Sequence, residues 1–231
     1  MEFFQRLEEL FNTKKYMLSF AEGLKITFII AFSALAIGLV LGVIVSLIKI
    51  SATRSKKMKF AAFLCDVYVM VIRGTPMALQ LFIMAFAVFA IRGFPLTVTA
   101  IITFGINSGA YISENIRAGI QSVDVGQLEA GRSLGMSYSS TMARIIIPQA
   151  IKNVIPTIGN EMIALLKETS IVSMVGLVDL TMAAKIVGSG QNMASYLIPM
   201  LFVAVFYLLI VFLITLIIRF IENKLRASDK R

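Results

Sequence analysis

The sequence predicts an all-α integral membrane protein with about five transmembrane helices, and three observations support this class. Of the 231 residues, 58% are hydrophobic and only 15% are charged, whereas a soluble domain is about half apolar and a quarter charged. The apolar residues form runs long enough to cross a bilayer, which takes about 20 helical residues. Most Lys and Arg residues cluster beside these runs, so lipid topology accounts for the net charge of +9 and no nucleic-acid partner is expected.

Five spans follow from the order of the apolar runs. We expect a single transmembrane domain over 1–231, with an N-terminal segment at 1–18 and a core from about 20 to 222; its spans lie at 26–48, 60–91, 94–119, 145–166 and 196–220. Arg73-Gly74-Thr75-Pro76 divides the second run, and we interpret the run as one broken span because Gly and Pro disrupt helical hydrogen bonding. The fourth run is interrupted by Lys152, Pro156 and Asn160-Glu161. We expect Pro156 and Gly159 to loosen the helix there, so that backbone carbonyls are available to a ligand.

Basic residues set the predicted topology. The connection after the first span has five of them and no acidic residue: Lys49, Arg54, Lys56, Lys57 and Lys59. The C-terminal tail is also net basic, with Lys224, Arg226, Lys230 and Arg231 against Glu222 and Asp229. By the positive-inside rule both segments are cytoplasmic, so the N-terminus is outside, the C-terminus is inside and 117–144 is cytoplasmic.

A long outer stretch remains at about 167–191, containing Gly176, Gly188 and Gly190. We interpret it as a short outer-surface helix and loop. Lys167 and Glu168 at its start are expected near the outer surface, where solvation or gating is favoured over binding.

The segment 127–137 is too polar for a span and predicts a short cytoplasmic helix. Its Glu, Ala and Leu residues favour a helix, and Gly135 is placed to end it because glycine readily adopts the left-handed conformation. An ordinary connecting loop is the alternative.

Glu129-Ala130-Gly131 is followed at fixed spacing by Gly135, Ile145, Ile147 and Pro148. With Ile147 in place of a leucine, this pattern resembles the cytoplasmic signature of permease subunits of binding-protein-dependent ATP-binding-cassette importers. Further segments resemble the polar-amino-acid branch: 73–76 with 80–82, 113–120 and 159–170. Gly131 stands where the family usually has a third alanine, and we expect it to make the helix more flexible.

The resemblance implies a type I importer permease fold in which this segment is a coupling helix that sits in a groove on a separate ATPase subunit. The implied ATPase contacts are Glu129, Ala130, Gly131, Arg132, Ser133, Leu134 and Gly135. The implied partners are an ATPase dimer, a second permease copy expected to be identical, and an extracytoplasmic amino-acid-binding protein. ATP and Mg²⁺ belong to the ATPase, so no cofactor is expected in this chain.

Two direct observations agree with these implications. No Gly-x-x-x-x-Gly-Lys-Ser/Thr phosphate loop occurs in the sequence, so we expect the chain not to hydrolyse ATP itself. Five spans also make a thin wall for a solute pathway, which favours a second copy across a two-fold axis.

Polar residues within the spans are the candidates for solute binding, because ionisable groups in hydrocarbon are costly and mark function by default. Glu161 lies mid-span beside Asn160. On the preceding span, four polar residues fall along one helical face: Asn107, Tyr111, Glu114 and Asn115. Carboxylates and amides suit an ammonium or guanidinium group, whereas a solute carboxylate needs donors such as Asn, Thr75, Tyr111 or a helix N-terminus at the break. An amino acid meets both requirements, and basic amino acids are among the candidates.

Structural roles compete with binding at several of these positions. We favour pairing of Glu114 with Arg117 at i, i+3 over solute contact. Arg73 either extends outward to the membrane surface or neutralises a buried acid. Glu161 remains the foremost solute contact, the alternative being a partner group from the second permease copy.

The predicted function is therefore an ATP-driven importer permease for polar amino acids in the cell membrane. The main alternative is an ion-coupled secondary amino acid transporter, in which Glu161 loads and releases a proton or Na⁺ and no ATPase is needed. An intramembrane enzyme ranks third, because the sequence has no His, no metal-ligand cluster and no convincing nucleophile–base pair.

Overall fold

A computed structural model describes residues 2–52, 56–190 and 195–227. Within these ranges the regular structure is helical, in ten α-helices: α1 (Glu2–Asn12), α2 (Lys14–Ala52), α3 (Lys59–Gly74), α4 (Met77–Ile83), α5 (Leu96–Gln121), α6 (Val125–Ser133), α7 (Tyr138–Thr141), α8 (Ile147–Glu168), α9 (Leu180–Gly188) and α10 (Leu197–Ala227). Two π-helical turns (Met84–Val88 and Met142–Ile146) and a 3₁₀ segment (Thr169–Val175) connect some of them. The sequence pattern did not predict the π-helical turns.

Length and composition single out three described helices that are able to cross a bilayer alone: α2, α5 and the Leu197–Leu225 part of α10. Two bent pairs raise the number to five if each pair counts as one span: Lys56–Gly74 with Met77–Val88, and Tyr138–Val175 with Leu180–Gly188. This upper count equals the predicted five. The break in the second run is confirmed at Pro76, whose extended backbone (φ −62°, ψ 137°) separates α3 from α4. That the two helices form one span stays a prediction.

The fourth run forms one helix, since α8 runs from Ile147 to Glu168 with Pro156 inside it. Proline is tolerated inside a membrane helix when neighbouring helices hold it, and Gly159 packs so closely that an added Cβ would lie 2.6 Å from Ile218 on α10. The first helix extends beyond its apolar run, and Lys49 lies in the last turn of α2. Of the other topology residues, Arg54, Asp229, Lys230 and Arg231 lie outside the described ranges, as does the side chain of Arg226.

The residues group into two compact units. The first unit comprises Met1–Leu35, Thr75–Gly105 and Ile163–Leu213; the second comprises Ala36–Gly74, Ile106–Met162 and Ile214–Arg231. The prediction of a single domain stays a prediction.

The first unit packs the start of α2, α9 and α10 around an apolar core. Leu10 of α1 and Phe20 of α2 are buried there with the inward face of α9, which carries Leu180, Ala183, Ala184 and Val187. The predicted short helix in the 167–191 stretch therefore exists as α9, and its inner face is part of this core; Gln191 lies outside the described residues. Close approach of α2 to α9 requires glycine, since a Cβ on Gly23 would lie 2.7 Å from the Asp179 carbonyl oxygen.

The second unit is organised by a seam of small residues. Gly38 and Gly42 of α2 face Ser108 and Ile112 of α5, and a Cβ on Gly42 would lie 2.6 Å from Ile112 Cγ2. The Ser46 hydroxyl extends the seam by donating to the Ser113 carbonyl at 3.1 Å. Small residues spaced by four allow membrane helices to pack with their backbones close together.

Candidate functional site

The four polar residues of α5 have different surroundings. Asn107 is buried, with 5% of its surface exposed. Tyr111 lies under Arg73, whose guanidinium carbon is 5.2 Å from the ring centroid. Asn115 lines a polar cavity of about 490 Å³ together with Lys152, Asn153, Thr157 and Glu222. The helical face predicted from spacing is therefore shared between several neighbours, and the prediction that all four contact solute stays a prediction.

Glu114 is the centre of an ion-pair cluster. Its Oε2 accepts from Arg117 Nη2 at 2.6 Å and Nε at 3.2 Å, and its Oε1 accepts from Lys49 Nζ at 3.0 Å. Arg73 Nη1 lies 3.7 Å from Oε2. The pairing of Glu114 with Arg117 is confirmed, whereas the role of Arg73 stays a prediction. With its side chain 16% exposed and three cations around it, the carboxylate is already stabilised by the protein's own charges.

Lys49 of α2 also contacts a second acid in this cluster. Its Nζ lies 2.8 Å from Asp66 Oδ1 on α3 as well as 3.0 Å from Glu114 on α5. The cluster thus joins α2, α3 and α5 through charged groups, and all of them except Lys49 lie inside predicted spans. Sequence reasoning missed Lys49 and Asp66 as partners, although an acidic residue within the apolar run 60–72 is itself a signal.

Asn160 and Glu161 lie on the continuous part of α8. Asn160 is exposed and Glu161 is partly buried. The helix continues through Pro156 and Gly159, although proline has no N–H to donate to the Lys152 carbonyl. The prediction that these two residues loosen the backbone stays a prediction.

Thr75 belongs to the first unit, apart from the other six candidates, which lie in the second unit. Its hydroxyl and carbonyl oxygens both accept from Gln80 Nε2, at 2.8 and 3.1 Å. This contact closes the break between α3 and α4. Thr75 thus has a structural role at the break whatever else it contacts.

The predicted coupling helix is present as α6, but with different ends. It runs Val125–Ser133 rather than about 127–137. Asp124 caps its start, since the carboxylate accepts from the Gly126 N–H at 2.8 Å. At its end Gly135 is left-handed, with φ of +82°, and two hydrogen bonds close the turn: Met136 N–H to Gly131 oxygen at 3.1 Å and Gly135 N–H to Arg132 oxygen at 3.0 Å. This pattern is a Schellman motif, so the role predicted for Gly135 is confirmed.

Most of the predicted coupling residues are exposed. Glu129, Ala130, Arg132, Ser133 and Gly135 are accessible, and Leu134 is 83% exposed. Gly131 alone among them is buried, and a Cβ there would lie 2.5 Å from Thr141 Cγ2. The expectation that Gly131 adds flexibility is wrong, because the missing side chain lets α6 and α7 pack tightly.

Apolar contacts attach α6 and α7 to the rest of the second unit. Val123, Ile146 and Ala150 form a buried cluster with Leu128 of α6 packed against it. The end of α5 is joined to α8 by a hydrogen bond from Asn153 Nδ2 to Ser122 Oγ at 2.8 Å. These contacts hold α6 and the end of α5 against α8 and the turn that precedes it.

The gating candidates Lys167 and Glu168 end α8 in the first unit. Lys167 is exposed and lines a cavity of about 320 Å³ with Ser170, Thr181 and Tyr207. Nothing in this geometry assigns a gate, so gating stays a prediction.

Asp179 is a buried polar residue that sequence reasoning missed. Its side chain is fully buried, and its two carboxylate oxygens accept from the Thr181 and Met182 N–H groups, both at 2.9 Å. It is the N-cap of α9. An aspartate directly before a helix-forming run is a recognisable cap signal.

No group of three His, Cys, Asp or Glu side chains suited to a metal ion occurs in residues 2–52, 56–190 and 195–227. The charged groups that do meet are of opposite sign and neutralise one another.

Comparison with known proteins agrees with this description. Residues 38–227 match the family model described as binding-protein-dependent transport system inner membrane component. The chain is 40% identical over 210 residues to the arginine transport system permease protein ArtQ of Bacillus subtilis (strain 168), covering 90% of this chain and 93% of that protein. It is 42% identical over 223 residues to the putative glutamine transport system permease protein GlnP of Rickettsia bellii (strain RML369-C), covering 96% and 99%.

Solved structures give the same result. A chain from the crystal structure of an amino acid ABC transporter with histidines superimposes with a TM-score of 0.82 and 38% identity, covering 91% of this chain and 95% of that one. A chain of the inward-facing MetNI methionine ABC transporter matches with a TM-score of 0.74 at 18% identity, which shows the fold alone. The predicted importer permease fold is confirmed. This chain belongs to the family of binding-protein-dependent transport system inner membrane components, multi-pass proteins of the inner membrane that have no catalytic activity of their own.

Proposed function

We propose that this chain is the permease of an ATP-driven importer that carries polar amino acids, basic ones among the candidates, into the cytoplasm. Membership of this family supports a transport function that depends on a separate binding protein. Relatives named for arginine, glutamine and L-cystine transport support the substrate class. The observation that carries the proposal is α6, a capped and exposed short helix held between α5 and α8, the helices that carry the candidate solute residues of the second unit.

The partners follow from this arrangement. An ATPase dimer receives α6 in a groove, with Leu134 as the most exposed apolar contact. An identical second permease copy completes the solute pathway, and an extracytoplasmic binding protein delivers the amino acid. This requires α6 and the C-terminus to be cytoplasmic and the N-terminus outside, in keeping with the basic 56–59 segment.

The solute site in this proposal centres on Glu161 and Asn160, with Asn107, Tyr111 and Asn115 on the neighbouring helix. Glu161 meets the cationic group of the amino acid, because a carboxylate in a span is best neutralised by an opposite charge. Glu114 is assigned a structural role, which its three cationic neighbours support. Thr75 supplies a hydroxyl at the break, and Lys167 and Glu168 contribute to an outer gate.

Reconstitution tests this function against the ion-coupled alternative. The chain is placed in proteoliposomes with its ATPase and binding protein, and uptake of radiolabelled L-arginine and L-glutamine is measured with and without ATP. We expect uptake that needs both ATP and the binding protein. The chain alone under an imposed proton or Na⁺ gradient should not accumulate either amino acid; accumulation would identify a secondary carrier instead.

A further inference from the structure

The contact between α6 and α7 is unusually close at one point. Thr141, the last residue of α7, is fully buried. Its Cγ2 and Oγ1 atoms would lie 2.5 and 3.0 Å from a Cβ on Gly131. A distance below 3 Å between such atoms does not occur without displacement, so alanine at 131 forces the two helices apart.

The hydroxyl group and the methyl group of Thr141 each make a contact. Its hydroxyl donates to the Ser137 carbonyl at 3.0 Å, and the Ser137 hydroxyl in turn accepts from the Ser140 N–H at 3.2 Å and caps α7. The methyl group fills the space that Gly131 leaves open. Thr141 thus fixes the conformation of α7 and its distance from α6 together.

The connection between the two helices is equally constrained. Gly131 provides the carbonyl that accepts from Met136 in the Schellman motif, so the residue that contacts Thr141 also closes the turn. Only Ser137 and the turn residues 134–136 separate the two helices. From α7 the chain continues through the π-helical turn Met142–Ile146 directly into α8, which carries Asn160 and Glu161.

We propose that the fit of the Thr141 methyl group against Gly131 makes α6 and α7 one rigid body, and that Thr141 is the positioning residue through which displacement of the docked α6 helix reaches α8. The proposal rests on the proposed function, since it requires α6 to contact an ATPase. Shape complementarity matters here because a packed contact transmits displacement, whereas a loose one absorbs it.

Moving one methyl group from residue 141 to residue 131 tests the proposal. The complete transporter of permease, ATPase and binding protein is reconstituted, and the number of ATP molecules hydrolysed per L-arginine or L-glutamine imported is measured. Gly131→Ala should raise this ratio about fivefold or more, because the clash separates α6 from α7. Gly131→Ala with Thr141→Ser removes the clashing methyl, keeps the hydroxyl and should return the ratio to within about twofold of the unmodified protein.

Two further variants keep the test decisive. Thr141→Ala leaves a void against Gly131 and should raise the ratio about threefold even if Gly131→Ala fails to assemble. Ala143→Ser adds one heavy atom at an exposed position of the next turn and should leave the ratio unchanged. Co-purification with the ATPase separates loss of docking from loss of transmission, since a merely structural defect lowers yield without changing ATP used per amino acid.

The outcomes distinguish this proposal from the function it rests on. If the unmodified complex imports neither amino acid with ATP, the proposed function fails. If it imports and Gly131→Ala retains the normal ratio, or if the double variant is no better than Gly131→Ala, the role of Thr141 is overturned and the proposed function stands.

Discussion

Local side-chain hydrogen bonds occur in both units, as at Thr169 in the first and Ser113 in the second, but the second unit adds charge pairs between helices. In the first unit the partners are mostly near in sequence: the Thr103 and Thr169 hydroxyls donate to carbonyls four and three residues back, and Asp179 caps its own helix. In the second unit Lys49 reaches Glu114, 65 residues away. The Thr27 hydroxyl, which accepts from the Leu180 N–H, is a long-range exception in the first unit.

We infer from this difference that the two units have different roles. Local hydrogen bonds hold a helix in shape but do not fix its neighbours, whereas charge pairs between helices fix the distances between them. The unit that contains α6 and Glu161 is therefore the one whose helices are joined by charges. We expect substitutions at α6 and the solute residues of the second unit to change transport. Substitutions at the caps and turns of the first unit, away from Thr75, Lys167 and Glu168, should change stability alone.

The largest expected effect comes from comparing two left-handed glycines, one in each unit. Gly135 has φ of +82° and Gly176 has φ of +90°, and a side chain in this conformation costs about 1–2 kcal/mol. Gly135→Leu should lower coupled uptake about a hundredfold while ATP hydrolysis continues, because the end of the docked helix is distorted. Gly176→Leu should lower the melting temperature with normal ATP use per solute. Equal uncoupling by both variants would remove the distinction between the units.

The next largest effect is expected on stability, at the ion-pair cluster around Glu114. Glu114→Gln leaves Lys49, Arg73 and Arg117 without their shared carboxylate. Breaking a buried ion pair costs about 3–5 kcal/mol, and the exposure of the two arginines reduces this to about 2 kcal/mol. Thermal unfolding of the purified chain in detergent measures it. Arg117→Gln, which leaves two cations on Glu114, should cost about half as much; an unchanged melting temperature for Glu114→Gln would show that the cluster contributes nothing to stability.

The next effect is expected at Glu161, the carboxylate proposed to contact the solute. Glu161→Gln should raise the half-saturating concentration for uptake about tenfold, equivalent to about 1.4 kcal/mol of binding, with assembly intact. Uptake assays over a range of L-arginine concentrations, with co-purification of the ATPase as the assembly control, measure both. Kinetics identical to the unmodified protein would remove Glu161 from the site.

The smallest effect is expected at the cap in the first unit. Asp179→Ala removes the acceptor for two N–H groups of α9 and should destabilise the protein by about 1 kcal/mol. Asp179→Asn retains an acceptor oxygen and should lose less. Melting temperatures rank the variants, and ATP use per solute should be normal in both. An uncoupled Asp179→Ala would show that the first unit also transmits motion.

Features that depend on neighbouring residues were predictable from the sequence. Pro76 predicts the break in the second run, and Gly135 predicts the end of α6. The spacing of Glu114 and Arg117 predicts their pairing. Each of these signals lies within a few residues of its effect. The cap at Asp179 was equally local and was overlooked.

Features that depend on packing were not predictable. The meeting of Lys49 with Asp66 and Glu114 needs the positions of three helices. The continuity of α8 through Pro156 depends on neighbours such as Ile218, which packs against Gly159. Gly131 was interpreted as flexible because its contact with Thr141 exists only after the two short helices fold back on each other.

The side of the membrane on which α6 lies tests the central claim most directly. Leu134→Cys, made together with Cys65→Ser so that it is the sole cysteine, places a thiol at a position of the coupling segment where the native leucine is 83% exposed. An impermeant maleimide should label it in inside-out vesicles stripped of ATPase and not in right-side-out vesicles, and added ATPase should protect it. Labelling from the outer side would contradict the account, because no ATPase could then reach the helix.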